Sequence, residues 1–405
     1  MSFAFGSFRR GQLATGALFC ALGFQYATWA SRIPAIKTDL DLTSAQVGVL
    51  LMAAGVGASV SFPIVTYLVG RLGSRLLSLW SALALAGVLV ALAAAPNYPT
   101  ALLVLCVDGV LVGCLNTAMN AQGAALEARH ERTTMAKLHA TFSAGSLLAA
   151  IVASTVLAVT SSVLAHFCLA AMLLVLLAAC AQGSLPADDR SADGSKKRPR
   201  TAWRMPSRVT WWMCCAMAFG TITEGSMNDW STLYMEDVAG ASGQIAPLAI
   251  AVVSGMMLLA RLFADGWRSR WGDGRVVLLG SLLACSGLAF SLVAGGVVPA
   301  LIGFACVGLG IAAVTPCVYV AAAKQGANAL PLVAAMGTTG LLAGPPLIGF
   351  VAEASSLVWG LALVSVSALV VAVCSTQLSW EPRKAAPGSI RDRSAPSDRV
   401  DERFL

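Results

Sequence analysis

Acidic and amide side chains lie inside strongly apolar segments of this chain, where they could bind a proton or a polar solute. Thr221, Glu224 and Asn228 are spaced i, i+3 and i+7, so they share one face of a helix. An isolated carboxylate in apolar surroundings favours its protonated form. Glu224 is therefore a candidate to bind and release a proton near neutral pH. The alternative is a glutamic acid that stays neutral and bonds to a neighbouring helix.

Asp108 is the second candidate for proton binding, with pairing across helices or capping near a short loop as the structural alternative. Asn116 and Asn120 form an i, i+4 amide pair that could bond hydroxyl or amide groups of a solute, although such amides also join membrane helices. Asp229 projects about 140° away from Glu224 and lies near the end of its segment.

Polar groups deep in an apolar segment usually face the interior of a helix bundle or a water-filled cavity. Here they are concentrated in the first, fourth, seventh and tenth apolar segments. Lys and Arg are expected only outside the segment cores, with Arg32 and Arg261 at segment ends. This composition favours a neutral polar or cationic organic solute. The predicted substrate-binding residues are Gln25, Trp29, Asn116, Asn120, Asn228, Trp230 and Tyr319.

The segments that hold these residues have the length and composition of membrane spans. The 405-residue chain is 57% apolar and 12% charged, whereas soluble domains carry about 25% charged residues. A bilayer core needs about 20 helical residues. The sequence therefore predicts an all-α integral membrane protein with twelve transmembrane helices. The predicted spans are 12–31, 46–69, 76–95, 100–122, 138–160, 164–182, 209–234, 245–265, 276–294, 298–323, 331–352 and 357–377.

One long polar interruption, 183–208, divides the chain into two halves of six predicted spans each. The predicted domains are an N-terminal six-helix bundle (1–182), a basic cytoplasmic linker (183–208), a C-terminal six-helix bundle (209–378) and a disordered cytoplasmic tail (379–405). With both termini in the cytoplasm, 25 of the 27 Lys and Arg residues fall on that side. This asymmetry follows the positive-inside rule and argues against a nucleic-acid partner.

The connections after the second and eighth predicted spans share an Arg-x-Gly pattern. They read Gly-Arg-Leu-Gly-Ser-Arg (70–75) and Ser-Arg-Trp-Gly-Asp-Gly-Arg (269–275), 199 residues apart. With six plus six spans, these loops resemble those of the major facilitator superfamily, whose signature is Gly-x-x-x-Asp-Arg-x-Gly-Arg-Arg. The chain has Gly70 at the Asp position of that signature. The resemblance implies gating roles for Arg71, Gly73, Arg75, Asp265, Arg270 and Gly272.

Three further runs, 116–123, 224–231 and 343–350, are similar to a bacterial branch of that superfamily near the fucose–proton symporters. The resemblance implies a secondary active transporter that works by alternating access, is driven by protons and lies in the bacterial inner membrane. Two alternatives stay open: an efflux antiporter for a drug or secondary metabolite, and a membrane sensor without flux.

The expected partners are a small-molecule substrate, protons and the lipid bilayer, and the protein is expected to be a monomer. The eleven cysteines fall in or at the ends of apolar segments without a C-x-x-C pair, so they predict neither a disulfide framework nor a metal site. No cluster of His, Cys and acidic residues has catalytic spacing, so an enzyme and a bound cofactor are not expected.

Overall fold

The computed structural model describes residues 2–132, 134–185, 207–325, 329–378 and 380, and all regular structure in these ranges is helical. The helices there are α1 (Ser2–Ala30), α2 (Ile33–Asp39), α3 (Ser44–Ala93), α4 (Tyr98–His130), α5 (Met135–Leu157), α6 (Val163–Gln182), α7 (Arg208–Asp237), α8 (Leu248–Trp271), α9 (Asp273–Ala294), α10 (Val297–Ile311), α11 (Val314–Ala323), α12 (Ala329–Ala354) and α13 (Leu357–Gln377).

These helices coincide with the apolar segments of the sequence, with two differences in how they are divided. The second and third predicted spans form the single 50-residue run α3, which is broken at Gly73, where φ is 79°. The tenth predicted span is divided into α10 and α11. The short helix α2, which has a proline in its first turn, was not predicted.

Eight helices within the described ranges are long and apolar enough to cross a membrane. Several large apolar side chains on them face outward, including Trp80, Leu103 and Trp359, each more than 60% exposed. An outward apolar surface of this kind matches a lipid environment. The count of twelve crossings and the cytoplasmic position of both termini stay predictions.

The helices pack mainly within two groups that correspond to the predicted halves. In the first group α3 packs on α4 and α6, and α1 packs on α5 and α6; in the second, α7 packs on α12 and α13, and α9 on α10 and α13. The groups meet chiefly along α3–α12 and α5–α8, with smaller contacts of α7 with α1 and α2. The central part of the predicted linker and almost all of the predicted tail lie outside the described residues.

Candidate functional site

Two consecutive residues of α1 bind two buried acids on different helices. The side chain of Gln25 donates a hydrogen bond to Asp108 Oδ1 of α4 at 2.7 Å, and both side chains are buried. The hydroxyl of Tyr26 donates to Asp229 Oδ1 of α7, which joins the first group of helices to the second. Successive residues of a helix point about 100° apart, so α1 can reach α4 and α7 at the same level.

These contacts give Asp108 a partner across helices and give Asp229 a role that the sequence analysis missed, while proton binding by Asp108 stays a prediction. Asp108 pairs across helices, as one alternative stated, with Gln25 as its partner. Asp229 is only 5% exposed and is a contact between the two groups of helices rather than an acid near a free helix end. The sequence does show a tyrosine, Tyr26, next to Gln25, but it does not indicate which acid that tyrosine binds.

Glu224 forms an ion pair, so the sequence-based picture of an isolated carboxylate is wrong. Arg261 Nη2 of α8 lies 3.1 Å from Glu224 Oε1, and both side chains are partly buried. Arg261 Nη1 also donates to the hydroxyl of Ser143 on α5. The guanidinium therefore connects α7 and α8 of the second group with α5 of the first group.

The position of Arg261 corrects the expectation that cations lie only at segment ends. Arg261 lies ten residues before the end of α8 at Trp271, and it contacts other helices rather than a cytoplasmic loop. The sequence contained a signal for this, because position 261 falls inside the predicted span 245–265. A charged residue inside a span usually pairs with another polar group.

Three predicted substrate-binding amides remain at least partly accessible. Asn116 is exposed and Asn120 half-buried, and the Asn120 amide donates to the backbone oxygen of Asn116 at 2.7 Å and to its side-chain oxygen at 3.1 Å. Asn228 is half-buried and donates to the backbone oxygen of Glu224. These amides still have unused hydrogen-bonding capacity for a solute.

The three predicted aromatic residues differ in their accessibility. Trp29 is 2% exposed and Trp230 is 0% exposed, and the indole nitrogen of each lacks a hydrogen-bond partner. Both side chains belong to the packed core in this conformation, with Trp29 edge-on to Tyr26 at 5.2 Å between ring centroids. Tyr319 on α11 is half-buried. Only Tyr319 therefore has surface available to a solute in the observed arrangement.

The two groups of helices are joined tightly at the ends that the topology prediction places outside. Lys37 of α2 forms a 2.7 Å ion pair with Asp237 of α7. The backbone N–H of Ser44 donates to Glu353 at 3.0 Å. A Cβ added at Gly349 would lie 2.6 Å from the backbone oxygen of Ser44, so this approach of α3 and α12 requires glycine. These contacts hold the two groups of helices together at these ends.

Farther along the same two helices, toward their opposite ends, a gap lies between them. Phe62 of α3 and residues Pro331, Ala334, Ala335 and Thr338 of α12 line a cavity of about 360 Å³. Its walls are almost entirely apolar. The two helices therefore contact each other closely at one end and line a gap toward the other, and the topology prediction assigns these ends to the outside and to the cytoplasm.

The two Arg-x-Gly loops have the same backbone geometry. Gly73 has φ 79° and ψ 163°, and Gly272 has φ 78° and ψ 153°. Residues that carry a side chain rarely adopt a positive φ, so glycine is required at both turns. This agreement at an offset of 199 residues supports the internal repeat inferred from sequence.

The charged residues of these loops have different surroundings. Arg71 lies over the ring of Tyr67, and Arg75 donates to the backbone oxygen of Gln182 at 2.8 Å. Arg270 is exposed. The side chain of Asp265 lies outside the described residues. Arg268 and Asp273, which the sequence analysis did not single out, form the ion pair of the second loop at 2.8 Å.

Comparison with known proteins identifies a family by a matching family model and by similar relatives. Residues 14–329 match the sequence profile described as Major Facilitator Superfamily. An uncharacterized MFS-type transporter of Yersinia pestis is 30% identical over 366 residues, covering 89% of this chain and 94% of that protein. The membrane protein MosC of Rhizobium meliloti is 30% identical over 371 residues, covering 90% of this chain and 89% of that protein.

Two solved structures share the fold. The nucleoside transporter NupG, as its D323A mutant, aligns with a TM-score of 0.70 at 15% identity over 92% of this chain and 99% of that chain. A D-xylose–proton symporter aligns with a TM-score of 0.68 at 15% identity over 91% of this chain and 96% of that chain. The similarity to the fucose–proton symporters in particular stays a prediction.

Proposed function

Because this chain belongs to the major facilitator superfamily, we propose that it is a proton-coupled secondary transporter working by alternating access. It is a multi-pass membrane transporter of this type with bacterial relatives, and its matched relatives are transporters rather than enzymes. The proposal adds twelve crossings in two six-helix bundles, a bacterial inner-membrane location, cytoplasmic termini and a monomeric protein.

The observation that carries proton coupling is the position of Arg261 between Glu224 and Ser143. An ionised Glu224 holds the guanidinium by charge. Proton binding to Glu224 removes that charge and weakens the pair, which frees Arg261 to change its contact with α5 of the other half. The protonation state of one acid is thereby linked to a contact that must change when the halves move.

The accessible polar groups favour a neutral polar or cationic organic solute. Asn116, Asn120, Asn228 and Tyr319 supply amide and hydroxyl groups with exposed surface. Arg261 does not offer a free positive charge to an anionic solute, because Glu224 and Ser143 already occupy its two terminal nitrogens. Flux measurements decide between import and efflux, and they separate a transporter from a sensor that binds without moving solute.

The test of proton coupling starts from a ligand found by a thermal-shift screen of the purified protein against sugars, nucleosides, amines and antibiotics. Glu224→Gln mimics the protonated acid permanently. In proteoliposomes this variant should still exchange the ligand at equilibrium, but it should lose accumulation driven by an imposed pH gradient. Glu236→Gln is the matched control, because Glu236 is exposed at the end of the same helix.

Proton movement provides a second readout. A pH-sensitive dye inside the vesicles should report ligand-driven proton flux for the wild type and for Glu236→Gln, and none for Glu224→Gln. Full accumulation of the ligand by Glu224→Gln would show that another acid binds the coupling proton. Asp108→Asn and Asp229→Asn would then be measured in the same way, since both acids are buried between helices.

The orientation of the chain is tested separately. A reporter fused after Arg198 or at the C-terminus should be active only in the cytoplasm, and a reporter inserted near Asp39 should be active only outside. The reason is that all but a few of the 27 basic residues fall on one side by the positive-inside rule, even when Arg261, which lies inside α8, is left out of the count. Cytoplasmic labelling at Asp39 would contradict the arrangement in two halves.

A further inference from the structure

The helices α3 and α12 face each other along two stripes of matching periodicity. On α3, Gly48, Gly55 and Phe62 recur every seven residues, so they lie along one side of the helix. On α12, the facing residues alternate four and three positions apart, which is the spacing of a coiled-coil seam. These residues are Pro331, Ala335, Thr338, Leu342, Pro345 and Gly349. The two stripes therefore have the spacing of a knobs-into-holes interface.

One half of this seam is packed. A Cβ added at Gly48 would lie 2.8 Å from the backbone oxygen of Pro345, and a Cβ added at Gly55 would lie 3.0 Å from Leu342 Cδ1. Small residues allow membrane helices to approach each other this closely. The seam is therefore filled from its Gly349 end as far as the contact of Gly55 with Leu342.

The other half of the seam is empty. Seven residues after Gly55, the stripe on α3 carries Phe62, whose side chain is 59% exposed. The apolar cavity of about 360 Å³ lies beside it, and its four α12 residues are spaced i, i+3, i+4 and i+7. Four residues of one helix with this spacing form a hole that can receive one side chain of the facing helix. They are Pro331, Ala334, Ala335 and Thr338.

We propose that Phe62 is the gate residue of this seam, and that it enters the α12 hole when the two groups of helices change to their alternative conformation. The inference rests on the alternating access proposed above. As the Gly349 end separates and the Phe62 end closes, α3 and α12 pivot about the contact of Gly55 with Leu342, which lies between these ends. A lipid chain is the competing occupant of an apolar gap. The register favours Phe62, because the hole continues a seam whose other half is already packed.

The test replaces Phe62 of the full-length protein in native membranes by the photo-crosslinking residue p-azidophenylalanine. Gly349→Ala should raise the yield of cross-links to the α12 peptide 331–338 about 5-fold or more, because the added Cβ lies 2.6 Å from the backbone oxygen of Ser44 and forces that end apart. Gly344→Ala is the matched control on the same helix. Its added Cβ would lie 3.5 Å from Ile222 of the same group, which is an ordinary contact, so the yield should not change.

A second position controls for the direction of the probe. Ile64 is exposed and points about 200° away from Phe62 around α3, so the same probe at position 64 should give no response to Gly349→Ala. Cross-links from position 62 to lipid alone, or an equal yield to α12 with and without Gly349→Ala, would overturn the proposal. Failure of the proton-coupling test would leave this result unaffected, because cross-linking uses neither a ligand nor a pH gradient.

A size swap decides the matter if Gly349→Ala does not fold. Ala335→Phe fills the hole from the α12 side, so it should hold the Gly349 end closed and lower the rate at which sulfosuccinimidyl acetate labels Lys37, which pairs with Asp237 between the two groups. Adding Phe62→Ala moves the ring from one helix to the other and should restore the wild-type labelling rate. Equal labelling in the wild type, the single variant and the double variant would contradict the gate.

Discussion

The hydrogen bond from Tyr26 to Asp229 gives a direct test of how the outer ends are held closed. Tyr26→Phe removes the hydroxyl that joins α1 to α7 and leaves the buried Asp229 carboxyl without this donor. Leaving a buried acceptor without its donor costs about 1–3 kcal/mol. The bond exists only while these ends of the two groups are together, so its loss should lower the ratio of closed to open molecules about 5- to 150-fold.

Lys37 is a native reporter of this change. Its side chain is 25% exposed, and its amine is paired with Asp237 across the contact between the two groups; Lys137 on α5 is exposed and provides an internal reference. An amine-reactive reagent followed by mass spectrometry measures the labelling rate of each lysine. The rate at Lys37 should scale with the open population, so it should rise in Tyr26→Phe toward the rate at Lys137.

Tyr98→Phe is the matched control. The hydroxyl of Tyr98 donates to the backbone oxygen of Gln46 at 3.1 Å, which joins α4 to α3 within the first group of helices. Its loss removes a tyrosine hydrogen bond without touching the contact between the two groups, so labelling of Lys37 should stay at the wild-type rate. An unchanged rate in Tyr26→Phe, or an equal rise in both variants, would refute the reasoning.

Two further predictions concern the outer ion pair and the Arg-x-Gly loops. Lys37→Asp should change the transport rate modestly, because a partly exposed ion pair contributes about 0.2–1 kcal/mol. Adding Asp237→Lys should restore the transport rate, because the ion pair then forms with its charges reversed. A double variant that transports no better than Lys37→Asp would contradict this prediction. Arg71→Ala and Arg270→Ala should slow transport while leaving ligand affinity nearly unchanged, because both side chains lie outside the candidate substrate-binding site. A large loss of equilibrium ligand binding would instead place these side chains in that site.

The helices and the loop glycines could be predicted from the sequence because their causes are local. A run of about 20 apolar residues favours a helix in a bilayer wherever it occurs in the chain. The fold confirms helices across the predicted spans, including the last, 357–377, which coincides with α13. Gly73 and Gly272 belong to a short motif whose turn needs a positive φ. The angle φ is a property of the backbone at a single residue, so this requirement can be read from the local sequence.

The partners of the polar residues could not be predicted in this way. Helical periodicity placed Thr221, Glu224 and Asn228 on one face, but it carries no information on which other helix meets that face. Arg261 lies 37 residues after Glu224 in the chain, and Tyr26 lies 203 residues before Asp229. Only the packing of the two groups of helices brings these atoms within hydrogen-bonding distance.

The sequence by itself therefore determined a helical membrane protein and the helices on which its polar residues lie. The tertiary structure decided that Glu224 is paired rather than isolated, that Asp229 joins the halves, and that Trp29 and Trp230 are buried. The physical reason is that hydropathy and turn geometry act within one segment. The state of a buried charge, in contrast, depends on the groups that other segments bring to it.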